Sequence, residues 1–291
     1  MDIKTLQYFL MVVREGSISR AANALHITQP TISRQMKELE EYLGKKLFIR
    51  GNKKITLTEE GILLKQRAEE IVGLTRKAET EIMMTDASDL SGDIHIGSGE
   101  TNSISFITKI IQRVHEKYPR ITFHLYSGNA NDVRDKLDKG ILDFGILINS
   151  EDLDRYDCLS LPVEDKWGVL FHKESDLIDR KTIQMKDLEN QPLILPGQGN
   201  DINDMLQYFQ FDSQKLNLVA TYNLIYNASL MANDHLGYVL CLENLVNTNG
   251  TDLVFKLIKP EKKLSLTFVW KKYQFLNRAA QYFLQEVQNS L

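Results

Sequence analysis

Residues 17–54 read SISRAANALHITQPTISRQMKELEEYLGKKLFIRGNKK. Ile18, Ala21, Ala22 and Leu25 recur at helical spacing, and Ile32, Met36, Leu39 and Leu43 repeat the same kind of stripe farther along. Two short amphipathic helices joined by a tight connection are predicted, each with one buried face. Subtracting that face from the second helix leaves Pro30, Thr31, Ser33, Arg34 and Lys37 near its start. A recognition helix meets the base edges and phosphates of duplex DNA with residues in those positions.

The flanks fit the same unit. Upstream, Leu6, Phe9, Leu10 and Val13 predict a support helix over 5–15, with Gly16 as its left-handed C-cap. Ser17 has the acceptor oxygen of an N-cap, Thr28 is expected to cap the next helix, and Pro30 falls in a first turn, where a missing N–H costs little. Downstream, two β-favouring runs, LFI and ITL, enclose Gly51, Asn52, Lys53 and Lys54 and predict a small hairpin or wing. Arg50, Lys53 and Lys54 at its tip suit contact with phosphate or the minor groove, although a solvated turn has the same composition.

From Thr58, with Glu59 and Glu60 in the first turn, one helix is predicted to about Asp86, roughly 40 Å long at 1.5 Å per residue. Leu64, Ala68, Ile71, Thr75, Ala78 and Ile82 alternate in steps of four and three, the spacing of a coiled-coil seam. The seam is expected to dimerise, as duplex readers of paired half-sites do, but a helix packed on its own domain would carry the same stripe.

The 291-residue chain is 43% hydrophobic with a formal net charge of −4, enough for two domains and too acidic overall for a bulk polyanion binder. The charge is uneven. Residues 34–54 hold seven basic side chains against three acidic ones, so one basic module is attached to an acidic body. Cys158 and Cys241 lie far apart without metal-ligand or paired spacing, which suits a reduced cytoplasm. Neither a signal peptide nor a membrane span is expected.

After a polar hinge at 88–92 the pattern alternates strand and helix. Strands are predicted at 94–96, 121–126, 144–148, 168–171, 193–195, 218–222, 238–242 and 264–270. Ile104, Ile107, Ile111 and Val114 mark one helix, 131–139 another that ends at Gly140, and 275–289 a carboxyl-terminal one. An α/β architecture with largely parallel sheets follows. Two lobes are expected because residues 152–166 break the alternation.

The run FLMVVREGSISRAANALHITQPTISRQMKELEEYLGKKLFIRGNKKITLTEEG resembles the LysR-type transcriptional regulators. It carries an aromatic-led first helix, Gly-Ser ahead of paired alanines, Gln-Pro at the recognition helix, Leu-Glu, Leu-Gly, Leu-Phe-x-Arg and Leu-Thr-x-x-Gly. The resemblance extends more loosely through YPRITFHLYSGN, LDKGILDFGILI and LGYVLCLENL. It implies a winged helix-turn-helix over 1–58, a linker and dimerisation helix over 59–87, and an effector-binding domain of periplasmic-binding-protein type over 88–291. The implied lobes are about 93–161 with 268–291, and about 162–267. The implied partners are double-stranded promoter DNA, a small-molecule effector, RNA polymerase and a second copy of the chain, as a dimer or a tetramer. No cofactor, metal or membrane is implied.

Carried over residue by residue, the resemblance puts Gln29, Pro30, Thr31, Ser33 and Arg34 on the DNA face, with Arg50, Lys53 and Lys54 on the wing. Gln29 can pair with adenine and Arg34 with guanine, Pro30 and the Thr31 methyl can touch a thymine methyl, and Ser33 can reach a phosphate. The alternative for Ser33 is a surface helix residue, and that for Arg34 is a pair with Glu38 at i+4. For the effector it selects Ser98, Glu100, Thr101, Asn129, Ile148, Asn149, Pro196 and Gln198, just beyond strand carboxyl ends. Ordinary loop capping is the alternative for each. Glu100 is unexpected beside a helix N-terminus that would favour a carboxylate effector, so the effector is of unknown identity and a neutral or amine-bearing one is worth testing.

Catalysis is not indicated. Gly97-Ser98-Gly99 lacks the third glycine of a dinucleotide fingerprint, no Walker loop or nucleophile elbow is present, and the six histidines are scattered. A solute-binding protein for transport would share the two lobes, but it would have no use for residues 1–58.

Overall fold

A computed structural model describes residues 1–50, 55–83, 90–148, 153–197 and 200–291. Helix α1 (Ile3–Glu15) starts at Asp2, whose carboxylate accepts from the Thr5 amide at 2.7 Å, and stops at Gly16 with φ 60°. The fully buried residue of its last turn is Val12 rather than Val13, continuing the i,i+3 row Leu6, Phe9, Val12. Helix α2 (Ile18–Ala24) is capped by the Ser17 hydroxyl, and α3 (Gln29–Leu43) ends at Gly44 with φ 62°. Thr28 holds the cap position of α3 without capping through its side chain. Its hydroxyl pairs instead with that of Thr31 at 2.7 Å. Strands β1 (Phe48–Arg50) and β2 (Ile55–Leu57) form the antiparallel hairpin, with Phe48 opposite Leu57.

Helix α4 (Glu59–Met83) is capped by Thr58, whose Oγ1 accepts from the Gly61 amide at 3.0 Å. Gly61 explains the glycine of the Leu-Thr-x-x-Gly run. A Cβ there would lie 2.2 Å from the Leu47 carbonyl oxygen, so the hairpin and α4 can approach only over a bare α-carbon. The expected seam is divided. Ala68 is fully buried, Leu64 partly so, and with Val72 they close the core made by Leu6, Phe9, Ile32, Met36, Leu39 and Leu47. Ile71 and Ala78 stay exposed, as does Leu74, while the side chain of Ile82 lies outside the described residues. One stripe thus serves the helix's own domain and a neighbouring one is left on the surface.

The chain divides into two compact units, Met1–Thr85 and Asp86–Leu291. The second contains β3 (Gly92–Ser98), α5 (Ser105–Lys117), β4 (Ile121–Ser127), α6 (Ala130–Asp138), β5 (Phe144–Ile148), β6 (Tyr156–His172), β7 (Pro192–Pro196) and α7 (Asn200–Phe209). It continues with β8 (Asn217–Tyr222), α8 (Ile225–Asn233), β9 (Tyr238–Leu242), β10 (Leu253–Leu257), β11 (Lys263–Lys271) and α9 (Arg278–Gln288). Among the described residues a nine-stranded sheet runs β4-β3-β5-β11-β6-β9-β7-β8, with β10 also paired to β6.

The sheet is mixed rather than largely parallel. Strands β4, β3 and β5 pair in parallel, as do β8, β7 and β9, whereas β11 and β6 are antiparallel to each other and to their neighbours. Residues 156–166, expected as connections, form the first half of β6. Leu159, Leu161 and Val163 alternate there with the exposed Cys158, Ser160, Pro162 and Glu164, so this half of the strand has one apolar face and shows no continuous apolar run. The expected lobe limits at 161/162 and 267/268 fall inside β6 and β11, which cross together from one portion of the sheet to the other. Each portion has its own core. Ile94, Ile96, Ile107, Phe144, Phe268 and Phe283 fill one, and Val169, Phe171, Leu193, Leu195, Phe209 and Leu240 the other. No described helix is long and apolar enough to cross a membrane.

Candidate DNA-contact face and effector cleft

On α3 the buried set is Ile32, Met36, Leu39 and Glu40. Gln29, Pro30, Thr31, Arg34 and Lys37 are exposed on the remaining faces, and Ser33 is half-buried. Arg34 lies 3.5 Å from Glu38 and Lys37 3.5 Å from Glu41, both at i,i+4. These are exposed pairs of small energy, about 0.3–0.5 kcal/mol each, which DNA phosphates can outcompete. Arg50 belongs to β1, with its side chain outside the described residues, and Lys53 and Lys54 lie wholly outside them.

Glu40 was not singled out from the sequence, yet it connects α3 to the wing. Its carboxylate is 7% exposed and accepts from the Leu47 amide at 2.8 Å, the Phe48 amide at 3.4 Å and the Lys46 ammonium at 2.9 Å. Burial pushes the Glu40 carboxyl up, but those hydrogen bonds together outweigh it and hold the group below its ordinary value. The Leu-Glu pair of the family pattern is the available signal, because a glutamate at a buried helix position needs a partner.

In the second unit a cleft of about 550 Å³ opens at the carboxyl ends of the parallel strands. Glu100, Asn129, Ile148 and Pro196 line it together. Ser98 and Thr101 do not. The Ser98 hydroxyl donates to the Gly99 carbonyl at 2.7 Å, and Thr101, 3% exposed, is held with Ser103 on the buried carboxylate of Asp165 in β6. Both hydroxyls stabilise the loop itself. Asn149 and Gln198 lie outside the described residues. Asn129 also caps α6 reciprocally with Asp132, as the capping alternative required.

Glu100 has a different neighbour from the expected one. Its Oε2 accepts from the Ile225 amide at 2.6 Å, at the start of α8, so the chain's own carboxylate occupies that helix N-terminus. The lining residues missed from sequence are mainly apolar: Trp167, Met205, Leu242, Leu245 and Leu264, with Tyr222 and Asn223. Tyr222 donates to the Leu240 carbonyl at 2.8 Å, and burial raises its phenol well above the usual range. The Trp167 indole Nε1 is buried without a hydrogen-bond partner. No lysine, arginine or histidine lines the cleft among the described residues, whereas Glu100 and Asp132 do.

The histidines are less scattered in space than in sequence. His95 and His124 stack at 4.6 Å on adjacent strands, with Asp143 3.5 Å from the first and Asp93 3.2 Å from the second. His172 and His235 approach each other beside Glu174. The cysteines stay apart. Cys158 pairs with Val269 and Cys241 with Gly168, ten residues farther along β6, or roughly 30 Å. Burial pushes the Cys241 thiol up to about 12.

Residues 3–62 match the family described as bacterial regulatory helix-turn-helix protein, lysR family, and residues 87–291 match the LysR substrate binding domain. Among relatives, the HTH-type transcriptional regulator BsdA of Bacillus subtilis (strain 168) is 32% identical over 199 residues, covering 67% of each chain. The DNA-binding transcriptional dual regulator OxyR of Escherichia coli (strain K12) is 27% identical over 214 residues, covering 73% of this chain and 69% of its own. The fold is that of full-length CbnR in complex with its target DNA, with a TM-score of 0.74 at 18% identity over 100% of both chains. A helix-turn-helix with an exposed second helix, followed by a sheet that carries a cleft, is what the two matched descriptions require in this order, and the chain belongs to the LysR family of DNA-binding transcriptional regulators with an effector-binding domain.

Proposed function

We propose that the protein binds a pseudo-palindromic promoter site as a homodimer, or as paired dimers, and that a small molecule in the cleft adjusts its action on RNA polymerase. The observation that carries this reading is the exposed set Gln29, Pro30, Thr31, Arg34 and Lys37 on a helix whose opposite face is buried. Gln29 and Arg34 are assigned to base edges, Ser33 and Lys37 to phosphates, and Arg50, Lys53 and Lys54 to the backbone beside the wing. Binding promoter DNA requires access to the chromosome, so the protein works in the cytoplasm.

The effector is a neutral or amine-bearing molecule with an acceptor oxygen. Two carboxylates and no basic side chain line the cleft among the described residues, and the α8 N-terminus already holds Glu100. An anionic effector would meet two like charges in a site of low dielectric. The Trp167 N–H supplies the donor for a ligand oxygen. The cleft is read as a binding site and not a catalytic centre, because Glu100, Asn129 and Tyr222 are committed to backbone groups. Cys158 and Cys241 are too far apart for an intrachain disulfide, which needs α-carbons within about 7 Å.

The DNA assignment is tested by measuring affinity for the cognate site and for random duplex over a range of salt. Arg34→Ala is expected to lose about 1–3 kcal/mol of discrimination at one base position. Lys37→Ala is expected to weaken all sequences alike and lower the salt slope by about one. Equal losses on both duplexes from Arg34→Ala would overturn the division of roles.

A further inference from the structure

Strand β6 ends at His172, and the chain turns at once, with the Ser175 amide donating to the His172 carbonyl at 3.0 Å. The turn is pinned, because the Ser175 hydroxyl meets the Tyr238 hydroxyl at 2.7 Å. Glu174 projects from this turn with its side chain 70% exposed. His235 arrives from another element. It follows α8 in the left-handed conformation, φ 59°, where glycine or asparagine is the usual choice.

The three side chains converge. Glu174 Oε2 lies 3.9 Å from His172 Nδ1 and 3.8 Å from His235 Nε2, and the two imidazole centroids are 3.9 Å apart. One ligand atom from each residue falls within 4.8 Å of the others. The Glu174 amide donates to His172 Nδ1 at 3.2 Å, which fixes that nitrogen as the unprotonated one, with its lone pair toward the turn. Lys173, between the two ligands in sequence, is engaged by Asp252 and so does not compete for Glu174 at close range.

We propose that His172, Glu174 and His235 form a binding site for a divalent transition-metal ion, of which Zn²⁺ is the simplest example. Two neutral imidazoles and one carboxylate are the donor set such ions take, with water at the fourth position. Bonds of about 2.0–2.1 Å to a tetrahedral ion put ligand atoms about 3.3 Å apart, so closure asks the two Glu174 pairs to shorten by roughly half an ångström and the His172–His235 pair, within 4.8 Å, by at most about 1.5 Å. His235 and Glu174 are exposed and can supply that movement by rotation. The ion takes over the lone pair that His172 now presents to the Glu174 amide. Once bound, it joins the end of β6 to the carboxyl end of α8, the helix whose other end receives Glu100 in the cleft.

The test is titration of the full-length protein with ZnCl₂ by calorimetry, and with CoCl₂ followed by its visible absorption. Asparagine tolerates the left-handed position, so His235→Asn keeps the fold, as does Glu174→Gln on an exposed turn; circular dichroism verifies both. One ion per chain is expected to bind the wild-type protein in the micromolar range, with each variant weakening binding at least about tenfold. Wild-type protein that binds no Zn²⁺ below about 100 µM, or a wild-type isotherm in either variant, would overturn the proposal and leave any bound ion to the other histidines.

Discussion

At Glu40 a single carboxylate ties the recognition helix to the wing, and its environment fixes the sign of a pH effect. The folded Glu40 carboxyl titrates below its ordinary value. Its contribution to stability is therefore complete above that value and is lost as pH falls through the lower folded value. Glu40→Ala is expected to destabilise the amino-terminal unit by about 1–3 kcal/mol at neutral pH, because the buried Leu47 amide loses its acceptor. Glu40→Gln keeps an acceptor and loses the charge, so its urea midpoint should fall less steeply than that of the wild-type protein as pH drops through and below the ordinary carboxylate range. Parallel midpoint curves for the two proteins would remove Glu40 from the account.

Helix α4 shows what an element reveals and hides in sequence. Its existence and its Thr58 cap were legible, because capping chemistry and 3.6-residue periodicity are local. The use of its faces was not, since Ala68 and Val72 turn toward α1 only because α1 is there. The same holds for the charged first half of β6 and for Glu100, whose partner Ile225 lies 125 residues away. By contrast, the exposed residues of α3 were legible from one face of one helix. Among the described residues α4 exposes Ile62, Leu63, Ile71, Leu74 and Ala78, and we propose that the dimer seam runs through Ile71 and Leu74, each 38% exposed. Ile71→Asp with Leu74→Asp is expected to give monomers in sedimentation, with a thermal midpoint near that of the wild-type amino-terminal unit, and to weaken operator binding at least about a hundredfold by losing the second half-site. A stable dimer in the double variant would move the interface elsewhere.

For the whole molecule, address and signal are separated along the chain: a helix that reads DNA in the first unit, and a cleft lined by carboxylates and apolar side chains in the second. A thermal-shift screen of neutral and amine-bearing metabolites should find stabilising ligands whose effect falls in Glu100→Gln, whereas an anionic ligand indifferent to that change would refute the electrostatic argument. The most direct test of the whole is footprinting of the full-length protein across the promoter region beside its own gene. Two protected half-sites on one face of the duplex, about one helical turn or a multiple of it apart, are predicted, with protection lost in Arg34→Ala. Uniform protection, or none at any protein concentration that saturates random duplex, would contradict it.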